Sequence, residues 1–282
     1  MNDKNILITG GTSGIGRAAA IELARRGARV IFTYRNKARG EETLDLIRRE
    51  TGSRLVHMLE VDLASLDSVR RLAENYRKEF DHLGVLINNA GGYFGTRKTT
   101  FEGFEYTFGV NHLSHFLLTT LLKDILVSSR ARIINVSSAA QKAGRIDFED
   151  LMLEDNFAGF RAYSQAKLAN IVFTNELSRR WYDYGITANA VHPGAVGTNF
   201  GAEAKPGFRF LIKLGKPFLK SPEKGADTIV YLASSSEVEG ISGGYFANRK
   251  QIRSRPESQD PGVMIRLWEI SEKLTGIAGS AN

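Results

Sequence analysis

Short apolar runs alternate along the chain with longer stretches whose apolar positions recur every three to four residues. Ile6–Thr9 is such a run, and Gly14–Arg26 follows it with helical spacing through Ile15, Ala19 and Leu23. The rhythm repeats: Arg29–Tyr34, then the amphipathic pattern of Lys37–Glu50, then Leu55–Leu59 and Leu66–Phe80. Val85–Asn88 precedes one long helical pattern, Phe104–Leu126. Arg132–Val136 precedes another, Phe160–Tyr182. Thr187–Val191, a helix over Pro222–Ala233 and a strand end at Gly244–Phe246 complete the series. Strands alternating with helices of this length predict βαβ units and a parallel sheet. Helices on both faces explain why the strands are apolar almost throughout. The expectation is a doubly wound α/β sheet of the Rossmann type, with about seven strands in three α/β/α layers.

No Pro/Gly/Ser-rich linker, charge block or internal repeat interrupts the 282 residues, so one domain spanning 1–282 is the economical organisation. The apolar run at Ile6 is too short for a signal peptide or an anchor, and no other stretch is long enough to span a membrane; a cytoplasmic setting is the expectation. The chain has no cysteine, which excludes disulfides, thiol catalysis and thiolate metal sites. The net charge of +7 is spread among acidic residues, as in Arg77-Lys78-Glu79, and reads as solvated helix faces rather than a nucleic-acid surface. His112 and His115 lie three apart on a helical pattern with no carboxylate or third ligand beside them, so no metal site is expected.

Chemistry enters at the turn after the first strand. In Thr9-Gly10-Gly11-Thr12-Ser13-Gly14-Ile15-Gly16 the glycines permit a sharp turn and a close backbone approach, and a helix opens within the motif. A helix N-terminus so placed suits a pyrophosphate. The second strand ends at Tyr34-Arg35, where an Asp or Glu would hold the ribose 2′-hydroxyl of NAD. Arg35 suits a 2′-phosphate instead, by a charge-assisted fork, with Arg17 close behind the glycines. NADP(H) is the favoured cofactor and NAD(H) the alternative. Tyr163 and Lys167 lie four apart, hence on one helical face, where an ammonium favours the tyrosinate and draws the phenol's pKa toward the working range. That is the requirement for a general acid–base that exchanges a proton with a carbonyl or alcohol oxygen as hydride moves.

The glycine turn with its G-x-x-x-G-x-G spacing, Asn88-Asn89-Ala90-Gly91 after the fourth strand, Ser137-Ser138 after the fifth, and Tyr163-x-x-x-Lys167 together resemble the short-chain dehydrogenase/reductase family over essentially the whole chain. Val110-Asn111-His112-Leu113-Ser114-His115-Phe116, Ala166-Lys167-Leu168-Ala169-Asn170, Val191-His192-Pro193-Gly194 and Ser242-Gly243-Gly244-Tyr245-Phe246 resemble its retinol dehydrogenase/WW-domain oxidoreductase branch. Members of that branch commonly carry an N-terminal membrane anchor, which is not seen ahead of Ile6.

The resemblance implies an oxidoreductase. Ser138, the second of the serine pair, would hold the substrate oxygen, Tyr163 would be the acid–base, Lys167 would also bond the nicotinamide ribose, and Asn111 would hold a water leading to Lys167. It further implies that Gly10, Thr12, Ser13, Gly14, Ile15 and Gly16 cradle the diphosphate. Asp62 and Leu63 would border the adenine, and Asn89, Ala90 and Gly91 the ribose side. Pro193, Gly194 and Thr198 would flank the nicotinamide carboxamide and diphosphate. Residues 198–221 correspond to a lid over the substrate. Its apolar residues suggest a lipophilic carbonyl or alcohol, and the basic amphipathic stretch 206–220 suits peripheral contact with an anionic membrane surface. Homo-oligomers formed through the long helices are also implied by the family. A dinucleotide-sensing protein without turnover is the rival on the same fold. A nucleotide-sugar epimerase or dehydratase is a second rival, but the roughly 90 residues after the sixth strand leave little room for its substrate domain.

Overall fold

The computed structural model describes Met1 and residues 4–196 and 219–277. Eight strands form one sheet in the order β3-β2-β1-β4-β5-β6-β7-β8. They are β1 (Asn5–Ile8), β2 (Arg29–Tyr34), β3 (Val56–Glu60), β4 (Val85–Asn88), β5 (Arg132–Val136), β6 (Thr187–Val191), β7 (Tyr245–Ala247) and β8 (Lys250–Gln251). All neighbours pair in parallel except β7 and β8. The order reverses between β1 and β4, and the carboxyl ends of those two strands form the crevice where such sheets bind ligands.

Alternate side chains of each strand enter opposite cores. Leu7, Ile31, Leu86, Ile133 and Ala188 face one layer. Ile6, Ile8, Val30, Phe32, Val85, Ile87, Ile134 and Val191 face the other. The second layer is covered by helices α1 (Gly14–Arg25) and α8 (Pro222–Ser234), while α2 (Lys37–Thr51) packs beside α1. The first is covered by α3 (Leu66–Glu79), α5 (Ser114–Leu121) and α7 (Gly159–Trp181).

The long helical pattern at 104–126 does not become one helix. It divides into α4 (Tyr106–Phe108), a π turn over Gly109–Leu113, α5, and the short α6 (Lys123–Ser128). Two local causes are visible. The Glu105 carboxylate accepts the amides of Thr107 and Phe108 at 2.8 and 2.7 Å, which fixes the helix start after Phe104. Within the π turn, the Asn111 side chain bonds both outward to Gly92 and back along the helix to Thr107 O, the latter at 2.8 Å.

Two elements add to the sequence reading. Among the described residues the strands number eight rather than seven because a two-residue turn, Asn248-Arg249, sends the chain back as β8. A C-terminal helix, α9 (Pro261–Thr275), is capped by Asp260, which accepts the Val263 amide at 3.1 Å, and ends at Gly276 with φ 65°. Its buried stripe of Met264, Leu267, Trp268 and Ser271 lies over α5 and α7. Trp268 meets Phe116 at 5.0 Å, Phe173 at 6.0 Å and Trp181 at 6.2 Å between ring centroids, and the Arg180 guanidinium sits 4.5 Å from its face. No described helix is long and apolar enough to cross a membrane.

Candidate active site

The carboxyl edge of the sheet gathers the glycine turn after β1, the Asn89-Ala90-Gly91 segment after β4, the serine pair after β5 and Pro193-Gly194 after β6. Thr198 and all but the last three residues of the lid segment 198–221 lie outside the described residues, as do all but two of the stretch 206–220.

The glycine turn is tied down from two sides. Thr33 Oγ1 accepts the Gly10 amide at 3.0 Å, and Asn89 Nδ2 donates to Thr9 O at 2.9 Å. Gly10 has φ 70°, a backbone conformation that side chains disfavour. A Cβ on Gly16 would lie 2.3 Å from Gly10 O and 2.5 Å from Asn89 Nδ2, so the first turn of α1 closes onto the loop only with glycine there. Ser13 precedes α1 with no side-chain cap, whereas Asn36, Ser65, Ser221 and Asp260 cap α2, α3, α8 and α9. The first amides of α1 are thus left for an anion, between Thr12 and the half-buried Gly14 and Ile15. These features fit a dinucleotide diphosphate.

Arg35 is exposed just beyond the end of β2, with no acid in its place. Leu63 is buried after β3, and the neighbouring Asp62 spends one carboxylate oxygen on the Ala64 amide at 3.0 Å. The Asn89 and Ala90 amides both donate to Thr9 Oγ1, at 2.9 and 3.0 Å. Gly91, at φ 140°, leaves room for the Asn111 side chain, whose Oδ1 would lie 2.1 Å from a Cβ there.

The serine pair divides its work. Ser137 is buried and its hydroxyl donates to Lys167 O at 2.6 Å, on α7. Ser138 is half-buried, its Oγ accepts the Ala140 amide at 3.3 Å, and its hydroxyl acts on the Tyr163 phenol, lowering it. The structure thereby brings Ser138, and not Ser137, to Tyr163. Burial pushes the Tyr163 phenol up to about 12, and Ser138 acts against this. Lys167 Nζ donates to Val136 O at 3.0 Å and lies 5.7 Å from the centre of the Tyr163 ring. The expected lowering of the phenol by the ammonium is therefore not what the chain's own groups produce; desolvation outweighs it.

Burial also lowers Lys167, to about 8 from 10.5. Between those values the unfolded chain binds the proton and the folded chain does not, so this group makes stability rise with pH there. Below about pH 8 the buried ammonium costs roughly 3 kcal/mol at 1.36 kcal/mol per unit. Lys167→Met is expected to melt above the wild type at pH 7 in scanning calorimetry, and an unchanged or lower melting point would contradict this account.

Asn111 is fully buried. Its side chain pairs with both backbone groups of Gly92, accepting the amide and donating to the carbonyl, each at 3.1 Å. Its own carbonyl accepts from His115 Nδ1 at 3.2 Å, and His115 Nε2 lies 2.9 Å from Thr9 Oγ1. Thr9 Oγ1 already accepts two amides, so its hydroxyl proton goes to Nε2, and His115 is neutral with its hydrogen on Nδ1. Burial holds this imidazole down at about 4. His112, also buried, bonds Ser271 on α9 at 3.0 Å. Neither histidine faces a ligand-binding edge. The roles of Thr9 and His115 were not legible in the sequence. The only signal was a threonine closing an apolar strand before the glycines, and the histidine's partner stands 106 residues away.

On the open side of Tyr163 stands Tyr93, edge to face at 6.1 Å between centroids. Pro193 and Gly194 are half-buried, Gly194 with φ 92°.

The profile of the short chain dehydrogenase family matches residues 4–207. Retinol dehydrogenase 14 of Mus musculus is 45% identical over 98% of this chain and 87% of its own length. The WW domain-containing oxidoreductase of Danio rerio is 40% identical over 97% of this chain and 69% of its own. Among solved structures, an uncharacterized protein from Mycobacterium paratuberculosis is 34% identical and superposes with a TM-score of 0.80, covering 98% of this chain and 94% of the other. With its switch-point crevice, its glycine turn and its Ser138, Tyr163 and Lys167 side chains, the chain belongs to the short chain dehydrogenase family and is an oxidoreductase of the retinol dehydrogenase-like branch.

Proposed function

We propose that this oxidoreductase interconverts a lipophilic carbonyl and its alcohol with NADP(H), using Tyr163 as the acid–base. The observation that carries the reading is the gathering of Ser138, Tyr163 and Lys167 at the carboxyl edge of the sheet, with the Ser138 hydroxyl acting on the Tyr163 phenol and Lys167 Nζ 5.7 Å from its ring. When bound, the nicotinamide supplies or accepts the hydride. The uncapped first turn of α1, with Gly10, Thr12, Ser13, Gly14, Ile15 and Gly16, holds the diphosphate. Asp62 and Leu63 border the adenine, and Asn89, Ala90 and Gly91 line the ribose side. Lys167 bonds the nicotinamide ribose, and Pro193, Gly194 and Thr198 flank the carboxamide. Ser138 orients the substrate oxygen, Tyr163 gives or takes its proton, and Asn111 holds a water that links Lys167 to solvent. Tyr93 beside Tyr163, and the retinol in the names of the similar proteins, support an extended apolar substrate.

The cofactor choice rests on Arg35. Arg35→Glu replaces a fork for a 2′-phosphate by a repelling charge. NADPH kcat/KM is expected to fall about 10²-fold while NADH kcat/KM stays within a few-fold, since charge-assisted bonds contribute about 1.5–3 kcal/mol. An equal loss with both cofactors would assign Arg35 to the surface.

Direction should show in the pH profile. A phenol raised by burial keeps its proton through neutrality, so carbonyl reduction is expected to vary little between about pH 6 and 8. Alcohol oxidation needs the phenolate and should climb by up to about tenfold per pH unit over the same range. Parallel profiles in the two directions would remove Tyr163 from the proton step. The overall reading is tested by NADPH and NADH oxidation against retinal, a steroid ketone and simple aromatic and aliphatic aldehydes. Cofactor binding with no turnover across that panel would favour a dinucleotide-sensing protein instead.

A further inference from the structure

The peptide unit that follows Ser138 is gripped at both ends. Its carbonyl, Ser138 O, accepts from the Tyr245 hydroxyl at 3.1 Å. Its amide, Ala139 N, donates to His192 Nδ1 at 3.2 Å. The same nitrogen accepts the Gly194 amide at 3.3 Å. One imidazole atom therefore joins the loop after β5, which carries Ser138, to the loop after β6, which carries Pro193-Gly194.

The two side chains come from neighbouring strand ends and are themselves fixed. Val191 pairs with Phe246 across β6 and β7, and the His192 amide donates to Phe246 O at 2.8 Å. Tyr245 is 3% exposed, and burial raises its phenol above the ordinary range, so it is a permanent donor. Because Nδ1 receives two amides, the His192 ring carries its hydrogen on Nε2 and is neutral. Burial, and after it the cations of Lys220 and Lys142, act against protonation.

We propose that His192 and Tyr245 are positioning residues that lock the Ser138–Ala139 peptide plane, aim the Ser138 hydroxyl at Tyr163, and hold the Pro193-Gly194 loop in register with it. The proposal rests on the reading of Ser138 and Tyr163 as the reacting pair. The physical logic is rotational. Ser138 is extended, with φ −159° and ψ 158°; the Gln141 amide reaches Ser138 O at 3.1 Å on the carbonyl side, and His192 is the acceptor that fixes the Ala139 amide side of the plane. A turn of that plane would change the direction of the Ser138 side chain, which the Ala140 amide, 3.3 Å from its Oγ, and Tyr163 would then have to restrain. His192 supplies the missing acceptor and Tyr245 the matching donor.

Steady-state kinetics of His192→Leu, His192→Asn and Tyr245→Phe, with melting curves for each and Tyr163→Phe measured beside them, test this. The asparagine carbonyl oxygen occupies nearly the place of Nδ1 and accepts the same amides. His192→Leu is expected to lower kcat about tenfold and to raise the KM for NADPH several-fold, since both loops lose an acceptor. Tyr245→Phe should lower kcat by about three- to tenfold with KM for NADPH unchanged, because Tyr245 touches only the Ser138 side. His192→Asn should recover kcat to within about threefold of the wild type while melting no higher than His192→Leu. A purely structural role would couple kcat to the melting point instead. Should His192→Leu fail to fold, Tyr245→Phe and His192→Asn decide alone. Wild-type kcat in Tyr245→Phe, or an asparagine variant more than tenfold impaired, overturns the proposal. Full turnover in Tyr163→Phe would instead sink the catalytic reading beneath it, and the two failures are told apart in one experiment.

Discussion

Tyr163→Phe is expected to reduce turnover by about 10²–10⁴-fold while NADPH binding changes by no more than about twofold. The substitution removes one oxygen from a side chain that is 8% exposed and leaves the ring in place. The Tyr93 ring at 6.1 Å keeps its partner. What disappears is the hydroxyl on which Ser138 acts, and with it the proton donor for a nascent alkoxide. The variant should fold as the wild type does, because a phenol that burial has pushed up to about 12 is not contributing a charge to stability at neutral pH. Single-turnover mixing with NADPH and retinal, beside fluorescence titration of NADPH, separates the two effects. Retained turnover would require another proton donor. Loss of cofactor affinity in equal measure would mean that Tyr163 serves binding rather than proton transfer.

Trp268→Ala carries the largest expected effect on stability. Trp268 is 4% exposed and packs on Phe116, Phe173 and Trp181, so α9 is pinned to α5 and α7 largely by this one ring. Large-to-alanine truncations of buried aromatics cost about 3–5 kcal/mol. At about 2–4 °C per kcal/mol for chains of this order, the melting point should fall by about 10 °C. The same substitution tests the expectation of assembly through the long helices. On α7, residues from Ala162 to Thr174 are buried without interruption, and α9 supplies much of that cover. If the wild type runs as a monomer in sedimentation and the variant self-associates, α9 has taken the place of a partner's helices. A wild-type dimer that survives Trp268→Ala would place the contact elsewhere.

Much of the scaffold could be read from pattern alone because its physics is local. Apolar runs marked β1, β2, β4, β5 and β6 with bounds that match to within a residue, since a parallel strand covered on both faces has few polar positions. The glycine turn was legible because only glycine tolerates the backbone at Gly10 and the contact at Gly16. Ser138 and Ser137, by contrast, look alike in sequence. Only the fold shows one hydroxyl committed to Lys167 O and the other facing Tyr163. The π turn was hidden because Val110, Leu113 and Leu117 keep a helical spacing straight through it, and one partner of its Asn111 side chain, Gly92, is distant in the chain. The electrostatic expectation for Tyr163 and Lys167 followed from their spacing, which fixes a shared face but not where each side chain ends. Desolvation and the Val136 carbonyl decide that. The strand β8 escaped notice because its turn, Asn248-Arg249, lacks the glycine that usually marks a hairpin.

That hairpin has a consequence for how copies of the protein meet. Both turn residues adopt left-handed backbone, φ 50° and 59°, as a tight two-residue reversal demands. Arg249 is anchored there by an ion pair with Asp227 on α8. The returning strand is only two residues long, exposed and cationic at Lys250, so the β7 margin presents no long row of free peptide groups for a second molecule to join. End-to-end fusion of sheets into a continuous ribbon is thereby barred along this border, and any self-association must proceed through side-chain surfaces rather than main-chain pairing at that margin.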